Sequence, residues 1–248
     1  YPQSSWLALL LAFFGTPMLF YASADPAYSH IFEAGLMALL MYFILVKKDA
    51  RLQGISLGLL TVTRYSCGIF ALPLIAFHFF KHKRKDAALF TLSFAPFVIF
   101  LMLYFQIQFG SPFSSGYASA FDSFLPVHFL QIIFDLNRGI LLWTPLLLAS
   151  IAGLCLFPKE EKWLLLSFFG LNFWVYSAWT SWHSAWGFGN RFFVLLFPLV
   201  VLGLARLLST KPKLKIPLVL GAVYTFILFM LFISASGILA DPFNLLSL

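Results

Sequence analysis

Four places in this 248-residue chain gather side chains able to do chemistry against an otherwise apolar background. His30 and Glu33 lie three residues apart, so a helix puts them on one face, directly after Asp25 and Tyr28. An imidazole and a carboxylate so placed can act as base, phosphate partner or metal ligand. The same segment also reads as a plain helix start, with Ser29 as cap and Asp25 facing water. His128, Gln131 and Asp135 form a narrow polar stripe among Phe129, Leu130, Ile132, Ile133 and Phe134, the pattern of a helix lying in a membrane interface. Trp174, Trp179, Trp182, His183 and Trp186 precede Gly187-Phe188-Gly189-Asn190-Arg191. If that helix persists, Trp179, Trp182 and Trp186 form one stripe offering flat faces to a sugar ring or lipid head, although an interfacial aromatic belt explains some of them. Asn190 can cap the next helix, whose free amides, with Arg191 beside them, suit an anion such as phosphate. Snorkelling to lipid headgroups is the plain alternative for Arg191. The two glycines around Phe188 lack the strand context of a dinucleotide-binding turn. Arg64 interrupts an apolar stretch, where an arginine costs about 2.5–3.5 kcal/mol unless it faces a wet cavity or a buried partner.

The elements that must position these groups are written in hydropathy and charge. The chain is 61% hydrophobic and 10% charged, with a mean hydropathy of +0.92, far from the roughly 25% charge of a soluble domain. The composition is that of an all-α polytopic membrane protein forming a single transmembrane domain over residues 1–248. Thirteen of the 16 Lys and Arg residues sit in four clusters at 47–51, 81–85, 159–162 and 206–215. Basic residues flanking spans stay on the cytoplasmic side, so the net charge of +7 carries topology rather than nucleic-acid binding. Apolar runs near the roughly 20 residues needed to cross a bilayer cover Trp6 to Ala22, Ile31 to Val46, Ala87 to Phe109, Gly139 to Phe157, Trp163 to Trp179, Phe192 to Leu208 and Ile216 to Leu239, predicting seven spans. The stretch from Leu52 to Phe80 is bracketed by basic clusters. A single crossing there divides the basic residues ten to five between the two sides, whereas a hairpin divides them thirteen to two. The hairpin, two short helices with Arg64 near their turn, is therefore expected. It sends Ser23 to His30, Gly110 to Arg138, Thr180 to Arg191 and the tail from Ala240 to the outer face. Cys67 and Cys155 have neither metal-site nor disulfide spacing, and no metal site is expected.

Several local patterns taken in order resemble the bacterial membrane glycosyltransferases of the GT-C type, which include protein mannosyltransferases and aminoarabinose transferases. They are Gly15-Thr16-Pro17 with Tyr21, Asp25-Pro26 and Ser29-His30; Phe109-Gly110-Ser111-Pro112 with Gly116-Tyr117; Arg138-Gly139 with Trp143-Thr144-Pro145 and Gly153; and Trp186 through Arg191. The resemblance implies transfer of a sugar from a polyprenyl-phosphate donor to a lipid, glycan or protein acceptor, on the periplasmic or extracellular face of a bacterial inner membrane. It also implies that the family's principal carboxylate lies in an earlier outer loop, so the chain reads as the later portion of such an enzyme, inactive alone. Within it, Asp25 and His30 are the catalytic candidates, and Arg191, Arg138 and Arg64 the candidates for the donor phosphate. Tyr28, Glu33, Tyr117, Trp182, His183, Trp186 and Asn190 are expected to line the substrate. Two other readings stay open: a transporter or flippase for a lipid or amphipathic anion, which also wants a mid-depth arginine and broken helices, and a non-catalytic membrane scaffold.

Overall fold

The structure, a computed structural model, describes residues 2–81, 83–114, 125–183 and 187–236. Among these residues every regular element is a helix. In chain order they are α1 (Pro2–Phe14), α2 (Met18–Ser23), α3 (His30–Tyr42), a π-helical turn (Phe43–Lys47), α4 (Ala50–Thr63), a 3₁₀ segment (Tyr65–Phe70), α5 (Ala71–Phe80), α6 (Arg84–Phe109), α7 (Phe129–Phe134), α8 (Ile140–Trp143), α9 (Pro145–Leu154), α10 (Lys159–Ser177), a second 3₁₀ segment (Arg191–Leu196), α11 (Phe197–Thr210), a short 3₁₀ turn (Pro212–Leu214) and α12 (Lys215–Ser236).

Four continuous helical stretches are long and apolar enough to cross a membrane: His30–Lys47, Arg84–Phe109, Arg191–Thr210 and Pro212–Ala235. By length and composition they point to a membrane protein. α6 and α12 turn apolar side chains outward along their length, including Ile99, Leu103 and Ile107 on the first and Ile216, Leu220 and Ile227 on the second. Such surface is costly in water and natural against lipid tails. The other three expected spans are not continuous apolar helices of that length. Pro17, after Thr16 whose hydroxyl bonds back to the Ala12 carbonyl, separates α1 from α2. Pro145 separates α8 from α9, because a proline has no N–H to continue the preceding ladder. α10 begins on the charged run Lys159-Glu160-Glu161-Lys162.

The stretch from Leu52 to Phe80 folds back on itself as the charge division requires. α4 starts at Asp49, whose carboxylate accepts from the Arg51 and Leu52 amides at 2.9 and 3.2 Å, and ends at Arg64, where the backbone turns extended. At about 1.5 Å per residue α4 rises roughly 21 Å, short of a roughly 30 Å hydrocarbon core. The returning 3₁₀ segment and α5 bring His78 beside Gln53, with the imidazole Nε2–H donating to the Gln53 Oε1 at 2.9 Å. The Gln53 amide in turn donates to the Phe43 carbonyl at 3.0 Å. Contact between residues near the two ends of the stretch makes it a hairpin with Arg64 at its tip.

Two pairs of helices pack at backbone distance. In α4, Gly54 and Gly58 lie one turn apart against α6, where a methyl group would run into the Phe90 carbonyl and the Phe97 ring. Small residues spaced this way let helices meet without side chains between them. Gly153 of α9 and Gly203 of α11 do the same, since a methyl on Gly153 would overlap the Gly203 carbonyl. The main core lies among α1, α3, α4, α9, α10 and α11, with Met37, Leu40, Leu57, Phe168, Leu199 and Leu204 fully enclosed.

The hairpin leads to a labelling result. Single cysteines at the exposed positions Arg51 and Lys83, in a chain whose Cys67 and Cys155 are alanine, are expected to be blocked by a permeant thiol reagent. Both should stay unlabelled by an impermeant reagent in intact cells. Labelling of one position alone from outside would mean that the stretch crosses once.

Candidate functional site

The tip of the hairpin, the start of α3, the end of α10 and the start of the second 3₁₀ segment enclose a cavity of about 520 Å³. Its polar lining includes Ser29, His30, Arg64, Ser66, Tyr176 and Arg191, and its apolar side comes from Val62 and from Leu101 and Phe105 of α6. The helix break at Arg64 is what admits this side chain: continuing α4 would carry it onto a packed helix face, whereas the extended residue projects it toward α3.

Arg64 is held on three sides. Its Nε donates to Glu33 Oε1 at 2.9 Å, Nη1 to the Tyr176 hydroxyl at 2.9 Å and Nη2 to His30 Nδ1 at 3.0 Å. Glu33 is wholly buried and also accepts from the Ser29 hydroxyl. Ser29 therefore binds the carboxylate one turn on, and its side chain does not cap the α3 amides. Since a guanidinium can only donate, His30 Nδ1 must accept, which puts the proton of the neutral ring on Nε2. The expected face shared by His30 and Glu33 is present, with Nδ1 at 3.4 Å from Glu33 Oε2. The partner expected for an arginine set in an apolar stretch is thus a carboxylate. Two of the five Arg64 N–H groups, one on each terminal nitrogen, remain beyond these three bonds.

Arg191 lines the same cavity in a different state. Its guanidinium lies over the Tyr28 ring, 4.8 Å from the centroid, and 5.6 Å from that of Phe192. Its Nε is buried with no hydrogen-bond partner among the described residues. The Arg64 guanidinium is 5.7 Å from the centroid of the same Phe192 ring, which itself stacks flat on Tyr176 at 4.1 Å. One aromatic ring thus stands beside two cations, of which Arg64 is paired with Glu33 and Arg191 has no ion-pair partner among the described residues. Arg191 is half-buried and packs against Tyr28 in the cavity lining. The Asn190 side chain accepts from the Phe192 amide at 3.2 Å, the expected cap, and donates to the Trp182 carbonyl at 3.1 Å.

Asp25 lies outside the cavity lining. The buried Tyr21 hydroxyl is within electrostatic reach of Arg191 and Tyr28, which line the cavity, and of Arg138 and Asp25, which do not. The Tyr21 hydroxyl and Asp25 Oδ2 are both buried without a hydrogen-bond partner among the described residues. Arg138 is buried and donates to the Gly189 carbonyl at 3.2 Å. Its backbone amide and that of Asn137 are both received by Asp135 at 2.8 Å. Burial pulls the Arg138 pKa down, and Arg191 nearby adds to this.

Beyond Arg138 lies a second group. The Trp182 ring stacks on His128 and meets His183 edge-on, and His183 senses Arg138, Asp135 and His128. His183 and Trp182 therefore line a neighbouring wall rather than the cavity itself. α10 ends at Ser177, and Trp179 and Trp182 follow in turns, so the expected helical stripe does not form among the described residues. Trp179 does line the cavity. Tyr117 and Trp186 lie outside the described residues. The sequence reading missed Tyr176, Ser66 and Phe192, which look like ordinary members of apolar helices; the one available signal is a hydroxyl near the outer end of α10. No group of three metal-ligating side chains occurs among the described residues.

No family model, curated protein or solved structure matches the chain.

Two measurements test this geometry. Glu33→Gln leaves Arg64 buried beside a neutral amide and should destabilise the folded protein by about 3–5 kcal/mol, the scale for breaking a buried pair from one side. Adding Arg64→Met should recover much of that loss, read as detergent-solubilised thermal unfolding. Equal and additive losses would mean the two groups are not coupled. For His183, burial first and Arg138 second hold the pKa below its ordinary value of 6.5. The neutral ring should dominate at pH 7, and an NMR titration should place the midpoint below that of a free histidine. Because the folded pKa is depressed, this group's contribution to stability is present above pH 6.5 and is lost as pH falls toward the folded value.

Proposed function

We propose that the chain binds a polyprenyl-phosphate-linked sugar in the cavity between Arg64 and Arg191, and takes part in transferring the sugar to a hydroxyl acceptor. The observation that carries this reading is the Arg191 guanidinium, whose buried Nε has no hydrogen-bond partner among the described residues, in a cavity walled on one side by apolar residues of α6. A ligand matching those features is amphiphilic and anionic. Its phosphate meets Arg191 and the free N–H groups of Arg64, and its chain leaves past Leu101 and Phe105 toward the lipid.

In such a transfer the acceptor oxygen forms a bond to the anomeric carbon while the bond from that carbon to the phosphate oxygen breaks, leaving its electron pair on phosphate. Arg191 stabilises that growing charge, and the low dielectric of the cavity strengthens the effect. The proton lost by the acceptor goes to a carboxylate, for which Asp25, with an unbonded buried oxygen beside Tyr21, is the candidate. Glu33 is unsuited to that task because it is committed to Arg64 and Ser29. His30 orients Arg64 through Nδ1 rather than accepting a proton there. Arg138 acts behind the wall by adding positive potential.

The same reading includes the finer topology: seven crossings and one hairpin in a bacterial inner membrane, with the basic clusters inside and the cavity facing the periplasm or the exterior. A transporter of anionic lipid uses the same cavity but moves its ligand without breaking a bond. The two are separated by assaying both sugar transfer and lipid movement.

In the natural full-length chain reconstituted in bilayers, Arg191→Lys keeps a positive charge but loses the planar two-pronged donor. Sugar transfer from a polyprenyl-phosphate sugar should fall by about 10²-fold or more, the scale for removing one preorganised donor. Transfer at the parent rate would refute the phosphate role of Arg191. A loss of lipid movement in a protein that never transfers sugar would establish the transporter reading.

A further inference from the structure

A second cavity of about 550 Å³ lies at the lysine-rich end of the bundle and shares no lining residue with the first. It runs between α5 and α10, walled by Pro73, Phe77 and Phe80 on one side and by Trp163 and Leu164 on the other. Lys81, Lys159 and Glu160 stand at one end, and Ser167 is the farthest residue along α10. From Lys159 to Ser167 the helix rises about 12 Å, less than half of a roughly 30 Å hydrocarbon core. The groove is therefore as deep as the part of a lipid next to its headgroup.

Its chemistry changes along its length. At the deep end the side chains are apolar, and the Ser167 hydroxyl is turned back to the Leu164 carbonyl. At the rim the Lys81 ammonium sits 4.4 Å from the Phe77 centroid and pairs with Glu160 at 2.6 Å. That pair is open to solvent: the Glu160 side chain is 66% exposed and that of Lys81 30%. Such a pair contributes little stability and exchanges partners readily. Residues 81–86 and 159–162 carry six Lys and Arg against the three carboxylates Asp86, Glu160 and Glu161. Of these charges, Lys81, Lys159 and Glu160 line the slot itself, and the adjoining residues of both segments keep a positive excess. Trp163, 60% exposed, stands at the same level, where tryptophans favour the boundary between headgroups and hydrocarbon.

We infer that this groove is a binding site for an anionic phospholipid, whose phosphate is received by Lys81 and Lys159 and whose upper acyl chain lies between Phe77, Phe80 and Trp163. Basic pockets between membrane helices recognise acidic headgroups in this way. Glu160 competes with the phosphate for Lys81, so it tunes affinity and is displaced when the lipid arrives. The inference is independent of sugar transfer and of the cavity at Arg191.

Trp163 supplies the reporter. The protein is reconstituted in phosphatidylcholine containing a minority of brominated phosphatidylglycerol, or the same fraction of brominated phosphatidylcholine. Quenching due to Trp163 is the difference between the parent and a Trp163→Phe variant. Phosphatidylglycerol should quench this tryptophan several-fold more effectively at equal fraction. The double variant Lys81→Gln, Lys159→Gln should remove the preference, with each lysine accounting for about 5-fold, the scale of one basic residue at an anionic lipid surface. Glu160→Gln should instead raise it. These opposite signs separate lipid recognition from general misfolding. Equal quenching by the two lipids, quenching by neither, or lysine and Glu160 variants that shift the preference in the same direction would each overturn the inference.

Discussion

A cation placed within an apolar bundle must find an anion, and the ion pair between Arg64 and Glu33 meets that requirement for this chain. It fixes where α4 must stop, because the guanidinium reaches Glu33 from an extended residue at the hairpin tip. It fixes the rotation of α3, since Glu33 and His30 have to face inward together. Through the Tyr176 hydroxyl it also ties the end of α10 to the same point. A buried pair of this kind adds little net stability relative to well-packed apolar groups. Its larger effect is to make one arrangement of three helices much better than its neighbours.

The cavity built around that pair separates two tasks among its arginines. Arg64 is compensated and organises the wall; Arg191 rests on aromatic faces and keeps an unused donor. Cation–π contact holds a guanidinium in position without neutralising its charge. Arg191 therefore presents a full positive charge to the cavity from a fixed place. A carboxylate partner would hold it equally well and cancel that field.

The helical class, the hairpin and the importance of Arg64 were legible because each follows from a one-dimensional balance: apolar length against bilayer thickness, basic residues on one side, and a charge that needs company. Glu33 and His30 could be placed together from their spacing alone. The identity of the Arg64 partner could not, because Glu33 stands 31 residues away and reaches it only after α3 and α4 pack. Tyr176 carries no sequence signal for the same reason. The tryptophan stripe failed where periodicity was extended past a helix end: α10 stops at Ser177, and after that point spacings of three and four no longer share a face. Two expected spans are divided at Pro17 and Pro145, whose breaking effect a count of apolar residues does not weigh, and the span expected from Trp163 lies within α10, which opens on a charged run.

The close glycine contacts bear on how such a molecule can move. Where α4 meets α6 through Gly54 and Gly58, and α9 meets α11 through Gly153 and Gly203, main chain lies on main chain or on an aromatic ring. Apart from the Phe97 ring against Gly58, little lies between these surfaces that could change rotamer, so relative sliding within each pair would be opposed by close contact. The cavity draws Val62 and Phe105 from the first pair and Arg191 and Phe192 from the segment leading into the second. Rearrangement at its mouth then falls to the seam between the two pairs, which is stitched by hydrogen bonds and stacked rings. A charged group entering the cavity would act directly on those stitches, so admitting it and rearranging the mouth would draw on the same contacts.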